Sequence, residues 1–497
     1  MAISVSQYPG EYNDAYGPNA VTLTGLSTIA NATKYVLQLV DHSSSDVIAD
    51  VRQTANNAGD AIFDVQTILQ NFVEQSRPNI ELLGEYGMGG QLPIEDVERE
   101  SFEYRIQFGY EIGGTATVQS YGTRPIVFGG VKPRYEETKD FGAFDGNAQG
   151  DDSNPPCTEG LSATRANILT DWDNLLVTPT SVPDGPTNGI QGNRYYQRNM
   201  RREENLTLSY WNKINRVGPN LNADVQSIEA FKYHVYNGNT LLDTVIVPNI
   251  VRNGGGPNDD IGDGSTVTYP LNVVTIAAGP SNLDGMRYYN DSAGSIQTYS
   301  LPSSATHYYI TSHAYTPPTC ESNQLAAFSL HKPYRIDIVE GDCLDYEPIE
   351  VSWTNSHGYR DYFTFDKKHV YMTNTQRNQF LQDNVDYYNG TSWSMDPAER
   401  GFTAYSQKIE EMYEMSSKYL TDKEAVYMQH LFRSPDTRVK LPDVEPYIDS
   451  QSGEEIYKFE PVMLTSNTYT QKTYKKDKLF QYTIKFKMAN NIKSQRG

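Results

Sequence analysis

The sequence is short of several things that narrow function. Its 497 residues include three cysteines, Cys157, Cys320 and Cys343, too few for a disulfide framework. One Cys320–Cys343 bridge is conceivable, but reduced thiols in a cytosol-made protein are the expected state. Positive charge is scarce, with 41 Lys and Arg against 62 Asp and Glu and a net charge of −21. A general nucleic-acid binder needs a cationic surface to displace counterions, so no nucleic acid is expected as partner. No apolar run approaches the roughly 18 residues of a spanning helix, so no membrane span is expected. The opening MAISVSQYPGEYNDAYGPNA lacks the basic and apolar regions of a secretion signal. There is no Walker loop, dinucleotide-binding glycine fingerprint, zinc-type CxxC or HExxH, or GxSxG elbow. The glycines of GEYGMGG at 84–90 have no phosphate-cradling spacing and read as loop. No cofactor, metal or catalytic residue is expected, and the chain is read as a non-enzyme.

What the chain has is tyrosine: 37 of them, in a sequence 12% aromatic and 38% apolar. Tyr joins an apolar face to a polar tip, which suits strands and half-wet surfaces. Short strands separated by turn residues dominate. KYVLQLVD at 34–41 is a compact apolar run. FEYRIQFGYEI at 102–112 alternates, with Phe102, Tyr104, Ile106 and Phe108 on one face and Glu103, Arg105 and Gln107 on the other. AFKYHVYNGNTLLDTVIV at 230–247 reads as a hairpin around Asn237-Gly238. THYYITSHAY and YRIDIVEG continue the pattern.

Two places predict helix. Near 64–74, Asp64 is a cap and Phe63 staples onto Ile68. Near 407–433, TDKE at 421–424 is a capping box, Ala425, Met428 and Phe432 share a face, and Ser434-Pro435 stops the helix. Polar loops at 142–160 and 253–266 suggest boundaries. The expected fold is mainly β: several β-sandwich, Ig-like domains with a few short inserted helices. Domains are placed at 1–158, 159–318 and 319–497, the last with the helical insertion near 407–433.

Candidate chemistry is thin. Asp145, Asn147, Gln149, Gly150 and Asp151 mimic the start of a calcium loop, but its twelfth position is Pro156 instead of a bidentate carboxylate. His307 and His313 lie six apart in a strand-like run and share a face, with no third ligand visible. Acid pairs such as Asp259/Asp260 and Glu410/Glu411 raise a glycosidase, yet 62 acids make chance pairs certain. YWNK at 210–213, VSWTNSHGYRDYFTF at 351–365 and DYYNGTSWSMD at 386–396 combine rings with Asn and Asp. A glycan face, a protein interface and a sandwich core with Tyr hydroxyls at its rim all use such residues. Trp353, Tyr359 and Trp393 are the candidate interface aromatics.

The end of the chain is basic. Residues 471–497 hold eight Lys or Arg and one acid, Asp477. Residues 478–488 are expected to form a strand with Phe480, Tyr482, Ile484 and Phe486 buried, and Lys485 and Lys487 on the opposite face. These lysines either dock on an acidic surface of the same chain or a neighbour, or only discourage edge pairing.

The run CLDYEPIEVSWTNSHGYRDYFTFDKK, with Cys343, Trp353, Asn355, Gly358, Asp361, Phe363 and Phe365, resembles tail-associated virion structural proteins of tailed bacteriophages, the type found in phages of marine bacteria and Bacteroidetes. The phrase LTDKEAVYMQHLFRSPDTRVKL fits that group too. So do Pro461, Val462, Lys478, Leu479, Phe480, Ala489, Asn490, Ser494, Gln495 and Arg496 near the end, and QYPGEYNDAYGPN and FDVQTILQNFV near the start. Residues 140–330 match loosely, and SHG stands where relatives often have a tighter glycine turn. The resemblance implies a virion protein made in the host cytoplasm, assembling with other virion proteins as a symmetric homo-oligomer. It brings no catalytic residues. The alternative is a tail fibre or tailspike protein that binds a receptor or host surface glycan.

Overall fold

The computed structural model describes residues 3–7, 13–15, 19–42, 44–73, 101–127, 168–172, 176–177, 195–211, 213–215, 225–228, 230–248, 273–290, 295–313, 331, 333–339, 346–381, 385–388, 390–395, 402–441, 447–448, 455–456, 459–465, 481–489 and 493–496. These are mainly strand. The α-helices among them are Gln66–Leu69, Pro280–Leu283 and Asp422–Arg433. No helix among the described residues is long and apolar enough to cross a membrane.

Near the start, Ser4–Gln7, Ala20–Thr24 and Ala61–Asp64 form a three-stranded sheet. A five-stranded sheet runs in the order Asn13–Asp14, Thr115–Val127, Ser101–Ile112, Lys34–Asp41 and Val47–Gln53. Both sheets feed one core, through Val21, Leu23 and Phe63 from the first and Tyr35, Leu37, Tyr104 and Ile106 from the second. The alternation at 102–108 holds: Tyr104, Ile106 and Phe108 are buried, and Glu103, Arg105 and Gln107 are half-buried. The strands Ser101–Ile112 and Thr115–Val127 are joined by Gly113 and Gly114, whose φ angles of 58° and 86° are those of the hairpin turn that needs two left-handed residues.

The larger core draws on residues from Ile168 to Met488. A six-stranded sheet runs in the order Thr240–Pro248, Ala230–Asn237, His307–His313, Tyr334–Ile338, Tyr195–Met200 and Leu176–Val177. The predicted hairpin at 230–247 forms, but Asn237 pairs with Thr240, so the turn centres on Gly238-Asn239. Gly238 takes φ 53° at the first central position, where Gly is favoured. Tyr334–Ile338 pairs with both His307–His313 and Tyr195–Met200. The expected boundary at 318 therefore falls inside a sheet. The strand Tyr334–Ile338 beyond it returns to the same sheet.

An eight-stranded sheet follows the order Arg360–Phe365, Ile349–Thr354, Thr437–Lys440, Glu460–Leu464, Thr483–Met488, Phe402–Ser416 and His369–Leu381, with Lys493–Arg496 pairing the far half of Phe402–Ser416. The sequence predicts helix over 407–433, but the first part of this stretch, as far as Ser416, is strand instead. Tyr405, Ile409 and Tyr413 recur every fourth residue, a spacing that fits a helical stripe and one strand face equally. Its thirteen-pair ladder with His369–Leu381 decides for strand. The capping box is real. Thr421 N–H donates to Glu424 Oε2 at 2.8 Å, Glu424 N–H donates to Thr421 Oγ1 at 3.3 Å, and the helix Asp422–Arg433 buries Ala425, Tyr427, Met428 and Leu431. The helix near 64–74 shrinks to Gln66–Leu69. Asp64 still accepts from Gln66 N–H at 3.0 Å, and Phe72 beyond the helix stacks on Phe102 at 4.9 Å.

The terminal strand occupies Thr483–Met488, with Tyr482, Ile484, Phe486 and Met488 buried; Phe480 lies outside the described residues. It is interior, between Glu460–Leu464 and Phe402–Ser416, so Lys485 and Lys487 guard no edge. Phe486 is fully buried and stacks on Tyr413 at 5.3 Å. Phe486→Ala should therefore cost about 3 to 5 kcal/mol, transfer loss plus cavity. The double change Lys485→Gln and Lys487→Gln should cost less than about 1 kcal/mol. Urea unfolding of the full chain measures both, and equal effects would refute the assignment of faces.

Candidate functional site

The run from Ile349 to Phe365 builds a buried polar knot. Ile349–Thr354 and Arg360–Phe365 are paired strands, and TNSHGY turns the chain between them. Asn355 organises the turn: its Oδ1 accepts from His357 N–H at 2.9 Å and Tyr359 N–H at 3.0 Å, and its Nδ2 donates to Leu169 O at 3.0 Å. Gly358 has φ 90°, so this position favours glycine. Trp353 is fully buried and Tyr359 nearly so. Both are candidate contact residues in the sequence, and both are core. The rings that suggest a sticky surface instead pack against neighbours, as with Trp353 on Tyr427 at 5.0 Å.

The knot closes on residues 168–172, far away in sequence. Thr170 Oγ1 donates to Asp361 Oδ1 at 2.6 Å, and Asp171 N–H donates to Asp361 Oδ2 at 2.9 Å. Ser356 N–H donates to Asp171 Oδ2 at 2.7 Å, and the Ser356 hydroxyl donates to Asp171 Oδ1. His430 Nδ1, on the helix, lies 3.1 Å from Asp171 Oδ2, and His357 Nε2 lies 3.7 Å from Oδ1. Trp172 then meets Tyr427 edge-on at 4.5 Å, and the Arg198 guanidinium lies 4.7 Å over the Trp172 ring.

The two carboxyls are pushed apart. Burial alone would raise Asp171, but His430, His357 and the bonds from Ser356 outweigh it and hold the group below its ordinary value. Burial pushes Asp361 up to about 7, and the nearby Asp171 charge adds to the push. One buried site thus keeps one charge, on the carboxylate that faces the imidazoles. Glu350, which accepts from Asn205 N–H at 2.6 Å and Asn205 Nδ2 at 2.8 Å, is likewise raised by burial to about 7.

Beside the knot is a cleft of about 560 Å³ lined by Trp172, Arg201, Glu204, Asp366, Lys418 and Tyr419, among others. Its charges are of both signs. Arg201 pairs with Asp366 at 2.8 Å, Lys418 lies 3.8 Å from Glu424, and burial raises Glu204. Such a cleft can hold a polar ligand. Among the described residues, no group of three or more His, Cys, Asp or Glu could hold a metal ion. His307 and His313 do share a strand with every residue buried, but His307 stacks on Tyr236 at 5.2 Å and His313 Nε2 lies 2.7 Å from Thr311 Oγ1. The calcium-like run Asp145–Asp151, the pair Asp259/Asp260 and all three cysteines lie outside the described residues.

The remaining candidate contact residues are scattered. Lys485 pairs with Glu414 of the adjacent strand at 2.8 Å, so it docks on an acid of its own chain. Lys487 is half-buried opposite Met412 and Met463, and the bond from Lys408 lowers Glu410, with the Lys487 charge adding to it. Trp393 belongs to a hairpin of Val385–Tyr388 and Trp393–Met395, its backbone opposite Tyr388. Trp353 and Lys485 lie three strands apart in the sheet.

An exposed apolar surface lies elsewhere. His369–Leu381 and Phe402–Ser416 form a long ribbon, and most of the first strand is exposed on both faces. Leu381 and Phe402 face each other at 68% and 69% exposure, with Phe380 and Tyr405 beside them. No protein-family model matches the chain, and no curated protein matches it.

The knot makes stability depend on pH. Asp361 and Glu350 bind protons in the folded state that the unfolded chain has already released above about pH 4. Their stabilising contribution is therefore full below that pH and is lost as pH rises through about 7. Stability should fall between about pH 5 and 7 and level off above. Asp361→Asn keeps an acceptor for Asp171 N–H and should flatten the slope by about one proton. Denaturant unfolding at several pH values checks this, and an unchanged slope in the variant would exclude a protonated Asp361.

Proposed function

We propose that this chain is a non-enzymatic structural component of a phage virion, associated with the tail and working through protein–protein assembly. Its two-sheet parts read as Ig-like β-sandwich modules, rigid units that carry contact surfaces outward. The observation that carries the reading is the ribbon 369–381/402–416. A strand pair that exposes Phe380, Leu381, Phe402 and Tyr405 at its far end buries little on its own chain and gains by contact with a neighbour. The resemblance of the 343–368 run and the chain ends to tail-associated virion proteins points the same way. On this reading the protein is made in the host cytoplasm and ends in the virion beside other virion proteins, in a symmetric homo-oligomer.

The cleft beside Trp172 supports a second reading, a tail fibre or tailspike protein that holds a receptor or host surface glycan. Tyr419 is 65% exposed there, and Arg201, Glu204 and Asp366 offer partners for hydroxyls.

An antibody against the purified chain, used on gradient-purified particles of a phage that encodes it, should label the tail. Absence of the chain from intact particles would end the virion reading. Binding in a glycan array that Tyr419→Ala abolishes would favour the second.

A further inference from the structure

The strand His369–Leu381 ends the order of the eight-stranded sheet: one side pairs with Phe402–Ser416, and no strand pairs its other side among the described residues. Long open edges invite pairing with other chains, and proteins usually blunt them with Lys, Pro, acids or bulges. Here HVYMTNTQRNQFL contains no Lys, Pro, Asp or Glu, and its one fixed charge is Arg377. The register slip in this ribbon leaves Tyr405 as the extra residue, so the bulge belongs to the inner strand and the outer strand runs regularly.

The edge is also symmetric in polarity. About Gln376, Tyr371 mirrors Leu381, Met372 mirrors Phe380, Thr373 mirrors Gln379, Asn374 mirrors Asn378, and Thr375 mirrors Arg377. Apolar residues lie at both ends and polar residues fill the middle. A two-fold antiparallel strand pair needs this arrangement, because each residue i meets j of the partner while j meets i. Mirror positions have the same parity, so facing side chains lie on the same side of the sheet. Tyr371 would face Leu381 of the other copy on one side, and Met372 would face Phe380 on the other. Arg377 would face Thr375, so no like charges meet. Tyr371 is half exposed and already continues an aromatic row from Phe486 through Tyr413, with ring centroids 5.3 and 5.0 Å apart.

We propose that His369–Leu381 is a self-pairing edge: two copies of this chain join antiparallel about Gln376 and continue the sheet from one copy into the next. This rests on the assembly reading for the idea that the ribbon is a contact element, but it needs no particle. A dimer in solution tests the edge, and labelling of particles tests the virion reading, so either can fail alone.

The test uses charge at the axis. Gln376 is exposed, so changing it leaves the core intact. Only a two-fold axis through this residue sets it against its own copy. Sedimentation of the full chain over a concentration series should show a monomer–dimer equilibrium. Gln376→Glu and Gln376→Lys should each weaken it by about fivefold or more, because like charges then face each other. Mixing the two variants should restore dimers that contain one of each. A wild-type chain that stays monomeric throughout would overturn the proposal. So would dimers indifferent to both charges, or a mixture no tighter than the single variants.

Discussion

The buried meeting of Asp171 and Asp361 is the constraint on which the larger core depends. Two carboxylates in a dry interior repel each other and lose hydration, and a site that kept both charged would cost more than it gains. The arrangement divides the roles. Asp361 is raised toward protonation and clamps Thr170 and the Asp171 backbone, while Asp171 keeps its charge against His430, His357 and Ser356. Each partner comes from a different piece of chain: the 168–172 segment, the turn at 355–359, the strand Arg360–Phe365 and the helix Asp422–Arg433. The knot therefore fixes the helix over Trp353 and Trp172, and through Trp172 and Arg198 it reaches the six-stranded sheet. Loss of one partner leaves the others buried and unsatisfied, the costly direction for such networks.

Tyrosine explains how a chain of modest apolar content fills such a core. Among the described residues, ten of the eleven largest fully buried side chains are Tyr and the other is Trp353, so the rings are interior material first. Some place their hydroxyls on backbone at the layer boundaries. Tyr233 and Tyr308 donate to Ala277 O and Ala278 O at 2.6 Å, and Tyr35 donates to Gly59 O at 2.7 Å. Each such bond gives a buried hydroxyl its partner. The same chemistry is why Trp353 and Tyr359 look like contact residues in the sequence. Rings beside Asn, Ser and Asp describe a surface patch and a polar-laced core in the same letters.

What was legible followed from local rules. Alternation marked the buried faces of 102–108 and 482–488, and Thr421 with Glu424 marked the start of the long helix, because each is set by neighbours within a few residues. The strand Phe402–Ser416 misled because spacing by four satisfies two periods, and only its partners in the ladder decide between them. The knot was half visible. Asn355, Gly358 and Asp361 stood out as a run, but Asp171 and His430 lie 190 and 69 residues away from Asp361. Short-range spacing rules do not reach that far, and no local pattern marks either residue as a partner of Asp361.

The charge pattern of the last strands belongs to the same logic. Phe402–Ser416 carries Glu410, Glu411 and Glu414, and Thr483–Met488 brings Lys485 and Lys487 next to it. Lys485 meets Glu414 directly, while Glu410 pairs with Lys408 of its own strand. Farther out, backbone register sets Lys493 and Arg496 opposite Ile409 and Ser406. Exposed pairs of this kind add little stability, but they discriminate among registers, because a slipped strand would set lysine against the wrong neighbour. The other side of the ribbon has no such code. From 369 to 381 the edge is nearly uncharged and apolar at both ends, so charge fixes the inner pairing while shape and polarity alone are left to fix the outer one.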